Sequence, residues 1–387
     1  MNTAAVDTAL ELETIRHADK FEELAPDWDA LVRASPRPSP FLLNAWLNSW
    51  WRHFGEGAEL AVPIARRNGR LVAAIPLLVR PHLGLRTARF LGGRQSALAD
   101  LLLAPGEDRS VGRAIAARVA AEADLVDLYG LPTRSRVAET LGPSIELVER
   151  VEAPVLDLTP GWDAVYRDKT SSKKRNLHRR RRRQLAELGR LEVVVAQSLE
   201  DLRPALEDAF RLHLLRWEGR PDGSGFATPT GQRFHREVLE PLVDLDVPRI
   251  VLLRLDGRAI AFHYYLAFES RMYVHRLAFD PAFARFSPGL VNTLDTIEAA
   301  AAEGLTRVEF LGGAERYKIE LADGTEPLCH GLGLARNSRA RAVAAARLAM
   351  IRLRLRLKRS PALQRFYLDG AAPIRRLVTR SRDALRA

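Results

Sequence analysis

Glu315, Tyr317 and Lys318 set a carboxylate, a phenol and an amine within four positions, straight after the apolar run "VEFL" and a Gly-Gly break. A carboxylate can serve as a base or orient an amine, a phenol can protonate a leaving atom, and an ammonium can neutralise charge developing on an oxygen. The same three residues would also suit a surface Glu-Lys pair beside a half-buried tyrosine. Upstream, "AFHYYLAF" and "MYVHRLAF" alternate as strands do, which puts His263 with Tyr265 on one face and Tyr273 with His275 on one face. A histidine near neutral pH can take a proton from an ammonium or hydroxyl group, and it can equally be a packed core residue.

An anion site is suggested by "DPAFARFSPGLVNTLDTIEAA". Ser287 is placed to cap a helix with Pro288 in its first turn, and Gly289 lets a ligand approach the backbone. Free N–H groups at a helix start attract phosphate, and Arg285 adds positive charge. The same turn would also serve as a plain helix start. In "LHLLRWEGR", His213, Arg216 and Trp217 gather at one helix end, where they can line a cleft or pack the indole. Between Lys173 and Arg183 a run of basic residues, Arg175 among them, can grip phosphate, although five consecutive arginines cannot all face one way on a helix.

Composition bounds the chemistry. Cys329 is the single cysteine, which excludes an internal disulfide and a cysteine-based zinc site. No zinc spacing, Walker loop or Gly-x-Ser-x-Gly turn occurs, and no metal is expected. With 387 residues, 47% hydrophobic and 28% charged, the chain has a globular composition. On a scale of roughly 150 residues each, about two to three domains are expected. The formal charge of +11 is uneven: residues 336–387 hold 15 Lys and Arg against Asp369 and Asp383, and the preceding 335 residues sum to −2. Within those, residues 169–190 hold ten basic residues against Glu187.

The elements that must position these groups repeat. Residues 57–80 read as two strands around "RNGR", and residues 248–268 as two strands around "LDGR". A helix pattern followed by a strand ending in glycine comes at 114–130 and again at 294–313, so we read one α/β unit duplicated. Between the copies, Thr170, Ser171 or Ser172 can cap a helix that Gly189 ends. After residue 336, "RAVAAARLAMIRLRLRLKR" reads as a helix, although its alternation would also suit a strand, and the end with Pro361, Gly370 and Pro373 reads as broken short helices.

Taken in order, "SSKKRNLHRRRRRQLAELG", "LHLLRWEGR", "LDGRAIAFHYYLAF", "YVHRLAFDPAFARFSPG" and "VEFLGGAERYK" resemble the FemAB-like tandem GNAT acyltransferases. They resemble in particular the CelD/BcsL group, linked to exopolysaccharide or cellulose production, and the resemblance spans roughly residues 40–335. It implies an α/β (α+β) fold of duplicated GNAT-like domains, each a mixed β-sheet flanked by helices. Residues 1–160 would be a degenerate N-terminal half, 161–190 a basic linking helix, 191–335 the donor and catalytic half, and 336–387 a basic helical tail. It also implies acetyl-CoA or another acyl-CoA as co-substrate. Arg285, Ser287 and Gly289 would hold its pyrophosphate. The family's loop reads Arg or Gln, two residues, Gly, one residue, then Gly or Ala; here Arg285 reaches only Gly289.

Under this resemblance Tyr317 would protonate the leaving thiolate and Lys318 would neutralise the oxyanion or bind an acidic acceptor group. Glu315 would act as base or orient Lys318, with His263 and His275 as further candidates for the base. Arg216, Trp217, Tyr265 and Arg175 would contact substrate, and Asp100 resembles an acid of the family's first half. The expected function is an acyl-CoA-dependent N- or O-acyltransferase acting on a small-molecule, glycan or lipid-linked acceptor of the cell envelope. Two alternatives stay open: an aminoacyl-tRNA-dependent aminoacyltransferase, which would bring in a nucleic acid otherwise not expected, and a non-catalytic accessory protein. The opening "MNTAAVDTALELET" lacks a secretory pattern and no run approaches ~18 apolar residues, so a cytoplasmic place is expected. The basic tail leaves open a peripheral contact with anionic inner membrane.

Overall fold

Two Asx-Gly turns organise the chain in the computed structural model, which describes residues 9–217, 225–313 and 315–359, with backbone alone at 149, 150, 358 and 359. The first half runs β1 (Leu10–Ile15), α1 (Ala18–Glu23), α2 (Ala25–Arg33), α3 (Asn44–Phe54), β2 (Glu59–Leu60), β3 (Val62–Arg67) and β4 (Arg70–Ala74). It continues through β5 (Leu77–His82), β6 (Leu85–Phe90), β7 (Leu102–Leu103), α4 (Arg109–Glu122), β8 (Leu125–Pro132), α5 (Arg136–Leu141), β9 (Ile145–Val151) and β10 (Pro154–Asp157). The second half opens with α6 (Trp162–Lys169), α7 (Ser172–Ala186), β11 (Leu191–Ala196), α8 (Leu199–Trp217), α9 (Pro229–Val243), β12 (Pro248–Leu255), β13 (Arg258–Phe268) and β14 (Arg271–Phe279). Then come α10 (Pro288–Ala302), β15 (Arg307–Glu309), α11 (Arg316–Leu321), β16 (Gly324–Thr325), β17 (Leu328–Gly333) and α12 (Ser338–Arg359).

Asn68 and Gly69 (φ 52° and 73°) turn β3 into β4, and Asp256 and Gly257 (φ 49° and 79°) turn β12 into β13. Positive φ at both central residues matches the twist of the flanking strands, and Asn, Asp and Gly adopt it at least strain. Each half also contains a parallel crossover. Strand β6 passes through α4 to its parallel neighbour β8, and β14 passes through α10 to its parallel neighbour β15. The two crossovers and two hairpins are the repeated unit read in the sequence.

The sheets do not respect the boundary expected at residue 160. Strand order is β1-β3-β4-β7 in one sheet, β2-β5-β6-β8-β17-β9 in the second and β11-β12-β13-β14-β15-β10-β16 in the third. β10 thus leaves the first half to pair antiparallel with β15 and β16 in the second half's sheet. β17 goes the other way and pairs antiparallel with β8 and β9. The largest buried cluster draws on both halves, from Trp28, Phe41 and Trp46 to Phe226, Phe234 and Tyr264.

The linker expected at 161–190 is two helices rather than one. Ser171, rather than Thr170 or Ser172, caps α7 by accepting from the Lys174 N–H at 3.3 Å. The chain divides into two units, Met1–Leu334 and Ala335–Ala387. In the second, "RLRLRLK" is helical within α12, whose start is fixed by Asn337 Oδ1 accepting from the Ala340 N–H at 2.8 Å. The breaks expected at Pro361, Gly370 and Pro373 lie outside the described residues. No described helix is long and apolar enough to cross a membrane.

Candidate active site

β14 and β15 start as parallel partners and then come apart. They pair at Arg271 with Arg307, Met272 with Val308 and Tyr273 with Glu309. β14 then continues to Phe279, whereas the chain after β15 follows β10: the Phe310 N–H donates to the Pro154 carbonyl at 3.0 Å, and the Gly313 N–H donates to the Glu152 carbonyl at 3.2 Å. The two parallel strands therefore part at their carboxyl ends, the place where open α/β sheets receive ligands. β14 leads from there to the start of α10, and β15 leads from there to α11. Leu290 in the first turn of α10 and Tyr317 in the first turn of α11 pack against the same buried cluster, which includes Leu294, Ile297 and Phe310.

On the α11 side, Lys318 is drawn inward rather than projecting from a strand end. Its Nζ donates to the carbonyls of Phe310 at 3.3 Å and Gly312 at 3.4 Å, and pairs with Glu315 Oε2 at 2.9 Å. Its side chain is 6% exposed against 57% for Glu315, so the ammonium faces the interior and the carboxylate stays wet. Leu311 (φ 55°) and Gly313 (φ 121°) turn the chain between β15 and α11. Tyr317 meets the Phe310 ring edge-on at 6.4 Å, and burial followed by the Glu315 charge pushes its phenol above the usual tyrosine range. A phenol kept protonated can donate.

On the α10 side, Ser287 sits at the helix start in the left-handed region (φ 57°) and its hydroxyl does not cap the helix, contrary to expectation. Its carbonyl instead takes the N–H groups of Leu290 at 3.1 Å and Val291 at 3.2 Å. That leaves the Gly289 N–H without a protein acceptor among the described residues. A Cβ at Gly289 would stand 2.8 Å from Phe279 Cδ1, so glycine is required by the close pass of β14's last residue. Arg216 lies over the same Phe279 ring at 5.2 Å and over Trp217 at 5.7 Å. Arg216, expected to line an acceptor cleft, thus lies beside the Gly289 turn. Arg285 lies over Phe286 at 4.5 Å.

The basic helix α7 spans from one side to the other. Near its start Lys174 pairs with Glu320 of α11 at 3.2 Å; further on Arg182 pairs with Asp295 of α10, and Arg181 donates to the Arg285 carbonyl at 2.5 Å. At ~1.5 Å per residue, these anchors lie roughly 12 Å apart along the helix. Arg179, Arg180 and Arg183 remain exposed on α7. Arg175 is not among the ligand-facing groups: its guanidinium donates to the Thr170 carbonyl and to the Arg167 carbonyl at 3.2 Å, closing the end of α6.

The two histidines of the sequence reading occupy opposite faces. His263 shares a face with Tyr265 at 6.4 Å between rings. It is 1% exposed, and neither ring nitrogen has a hydrogen-bond partner among the described residues. Burial, then the Lys318 charge, holds its pKa down to about 3. His275 is the extra residue of a β-bulge, between the pairs Tyr264–Arg276 and Tyr265–Val274. It packs with Phe41 at 5.7 Å, Trp46 at 5.4 Å, Tyr264 at 5.2 Å and His235 at 5.2 Å. Burial, then Arg276, keeps both His235 and His275 neutral well below the usual histidine range. His235 Nδ1 and Nε2, His275 Nε2 and the Tyr264 hydroxyl are buried polar atoms without hydrogen-bond partners among the described residues. Sequence reading passed over His235 and Tyr264, since the alternation of "FHYYL" and the period of α9 mark both as core.

Two further candidates lie elsewhere. The Tyr265 hydroxyl donates to Glu303 at 3.3 Å, at the far end of α10 from its N-terminus, and so anchors the helix. Asp100 accepts from the Ser135 hydroxyl at 2.7 Å and from the N–H groups of Arg136 at 2.8 Å and Val137 at 3.0 Å, fixing the start of α5. It borders a cavity of about 430 Å³ that Arg37, Arg134 and Glu326 also line. Burial raises its carboxyl pKa against the pull of those hydrogen bonds.

Residues 172–319 match the acetyltransferase (GNAT) domain family. No curated protein sequence matches the chain. Among solved structures, the C-terminal domain (DUF2156) of a protein assigned as a lysylphosphatidylglycerol synthetase from Agrobacterium fabrum is 14% identical, with a TM-score of 0.54 over 85% of this chain and 95% of that one. FemX is 12% identical, with a TM-score of 0.54 over 83% and 96%. A conserved protein of unknown function from Bacteroides thetaiotaomicron is 13% identical, with a TM-score of 0.51 over 84% and 99%. At these identities the likeness is one of fold. Residues 172–319 thus match a GNAT acetyltransferase domain, set within a mixed α/β fold whose sheets are flanked by helices.

Proposed function

We propose that the chain transfers an acyl group from acyl-CoA to an amine or hydroxyl of a cell-envelope or exopolysaccharide precursor, the activity suggested by its CelD/BcsL-like motifs. One observation carries the reading: the parted carboxyl ends of β14 and β15, with the α10 turn beyond one strand and Tyr317 and Lys318 beyond the other. The Gly289 N–H, Arg285 and Arg216 suit a pyrophosphate, with cationic side chains contributing more than the helix start, where one amide rather than three is open. The thioester then points between the parted strands. The acceptor's lone pair attacks the carbonyl carbon, the C–S bond breaks, Tyr317 gives its proton to the departing sulfur, and the Lys318 ammonium, its three donors held by Phe310, Gly312 and Glu315, offers the growing oxyanion its positive field rather than a hydrogen bond. His275, neutral at the bulge on the opposite face, is the candidate to receive the acceptor's proton.

Free thiol released from acetyl-CoA in the presence of candidate acceptors tests this. Lys318→Met and Tyr317→Phe should each lower release while leaving CoA-induced thermal stabilisation in place; undiminished release in both removes them from the mechanism. A second reading, aminoacyl-tRNA as donor, is favoured by the exposed arginines of α7 alone. Stabilisation by tRNA but not by CoA, falling steeply with salt, would select it.

A further inference from the structure

Helix α12 bears two apolar stripes, and one of them is open. Ala340, Ala344, Leu348 and Ile351 are buried. At about 100° per residue they fall in one sector roughly 80° wide. Met350, Leu353 and Leu357 are 47%, 56% and 44% exposed. Their spacing of three and four places them in a second sector, roughly 60° wide, on the other side of the helix. Arg347 and Arg354 border that stripe on one flank, and Arg352 and Arg356 border it on the other. From Ser338 to Arg359 the helix has eight Lys and Arg and no Asp or Glu.

We infer that this stripe seats α12 on an anionic lipid surface. Apolar side chains flanked on both sides by arginines let the stripe enter the acyl boundary while the guanidiniums stay at the phosphates. A second copy of the helix is disfavoured, because eight cations would face eight cations. A nucleic acid would satisfy the arginines and leave Met350, Leu353 and Leu357 in water. The helix is too short of apolar residues to cross a bilayer, so it lies along the surface. This inference is independent of the acyl-transfer reading.

The test is flotation of the full chain with vesicles of equal parts phosphatidylglycerol and phosphatidylcholine, beside phosphatidylcholine alone. The chain should float with the anionic vesicles only. Met350→Gln/Leu353→Gln/Leu357→Gln keeps every charge and should bind at least tenfold more weakly, with the far-ultraviolet circular dichroism and thermal melt unchanged. Leu353→Gln alone, at the most exposed position, should bind about threefold more weakly and stands in should the triple variant melt early. Equal flotation of wild type and both variants overturns the inference, as does failure of the wild type to float. Retention on RNA or on an acidic protein that the Gln variants share equally, without flotation, also overturns it in favour of charge alone.

Discussion

Lys318 carries the heaviest load of any single side chain at the candidate site, because its ammonium holds two backbone carbonyls as well as Glu315. Lys318→Met should therefore lower turnover by roughly a hundredfold or more and also destabilise the fold by about 1–3 kcal/mol, since the buried Phe310 carbonyl loses a donor. Tyr317→Phe removes a proton donor and little packing; turnover should drop about tenfold to a hundredfold with the melting temperature nearly unchanged, measured by thiol release and calorimetry. The buried histidines predict an acid limit. His235, His263 and His275 have folded pKa values below the ordinary 6.5, so the unfolded chain binds protons first and stability is complete above that pH and falls as pH drops below it. Each contributes up to about 1.4 kcal/mol per pH unit. Asp29, pushed up to about 6 by burial, and Asp100, raised likewise, act with the opposite sign. The net slope between pH 6.5 and 5 should lie between about 1 and 4 kcal/mol per unit, read from urea midpoints; a flat profile would mean the three imidazoles are hydrated in solution.

Elements were legible where a local signal fixes them. Asn68-Gly69 and Asp256-Gly257 declared their hairpins, the run Thr170-Ser171-Ser172 a helix start within a residue, and the helix-then-strand order gave the repeat. Other elements gave no such signal. β10 has four residues and β16 two, too few for a period to appear, and the bulge at His275 depends on register against β13. Burial of Lys318 depends on where Phe310 and Gly312 put their carbonyls, which residue type does not reveal. At the start of α10, Gly289 was read as room for a ligand, and the structure adds Phe279 as the nearer reason. Gly289→Ala should displace Phe279, and with it the guanidinium of Arg216, raising the KM for acyl-CoA about tenfold with a smaller effect on kcat. Unchanged KM would separate that turn from donor binding.

At the scale of the whole molecule, strand exchange sets how the chain folds. The first half supplies β10 to the second half's sheet and receives β17 in return. Neither half can complete its ladder alone, so residues 1–160 and 161–387 made separately should each be insoluble or unfolded, and made together should recover a soluble complex. Urea unfolding of the intact chain should show one transition for residues 1–334 by fluorescence and by circular dichroism; two well-separated transitions would contradict it.

The route of the chain after Phe310 has a consequence for anyone who would move this enzyme elsewhere. The gap between β14 and β15 stays open because residues 152–155 draw β15 to their own side. Those residues lie outside the recognised domain of 172–319. A transplant of that domain would carry Glu315, Tyr317, Lys318, His263 and His275, yet its two strands would be free to zip shut. How far the strands part is set by a segment to which none of those five residues belongs.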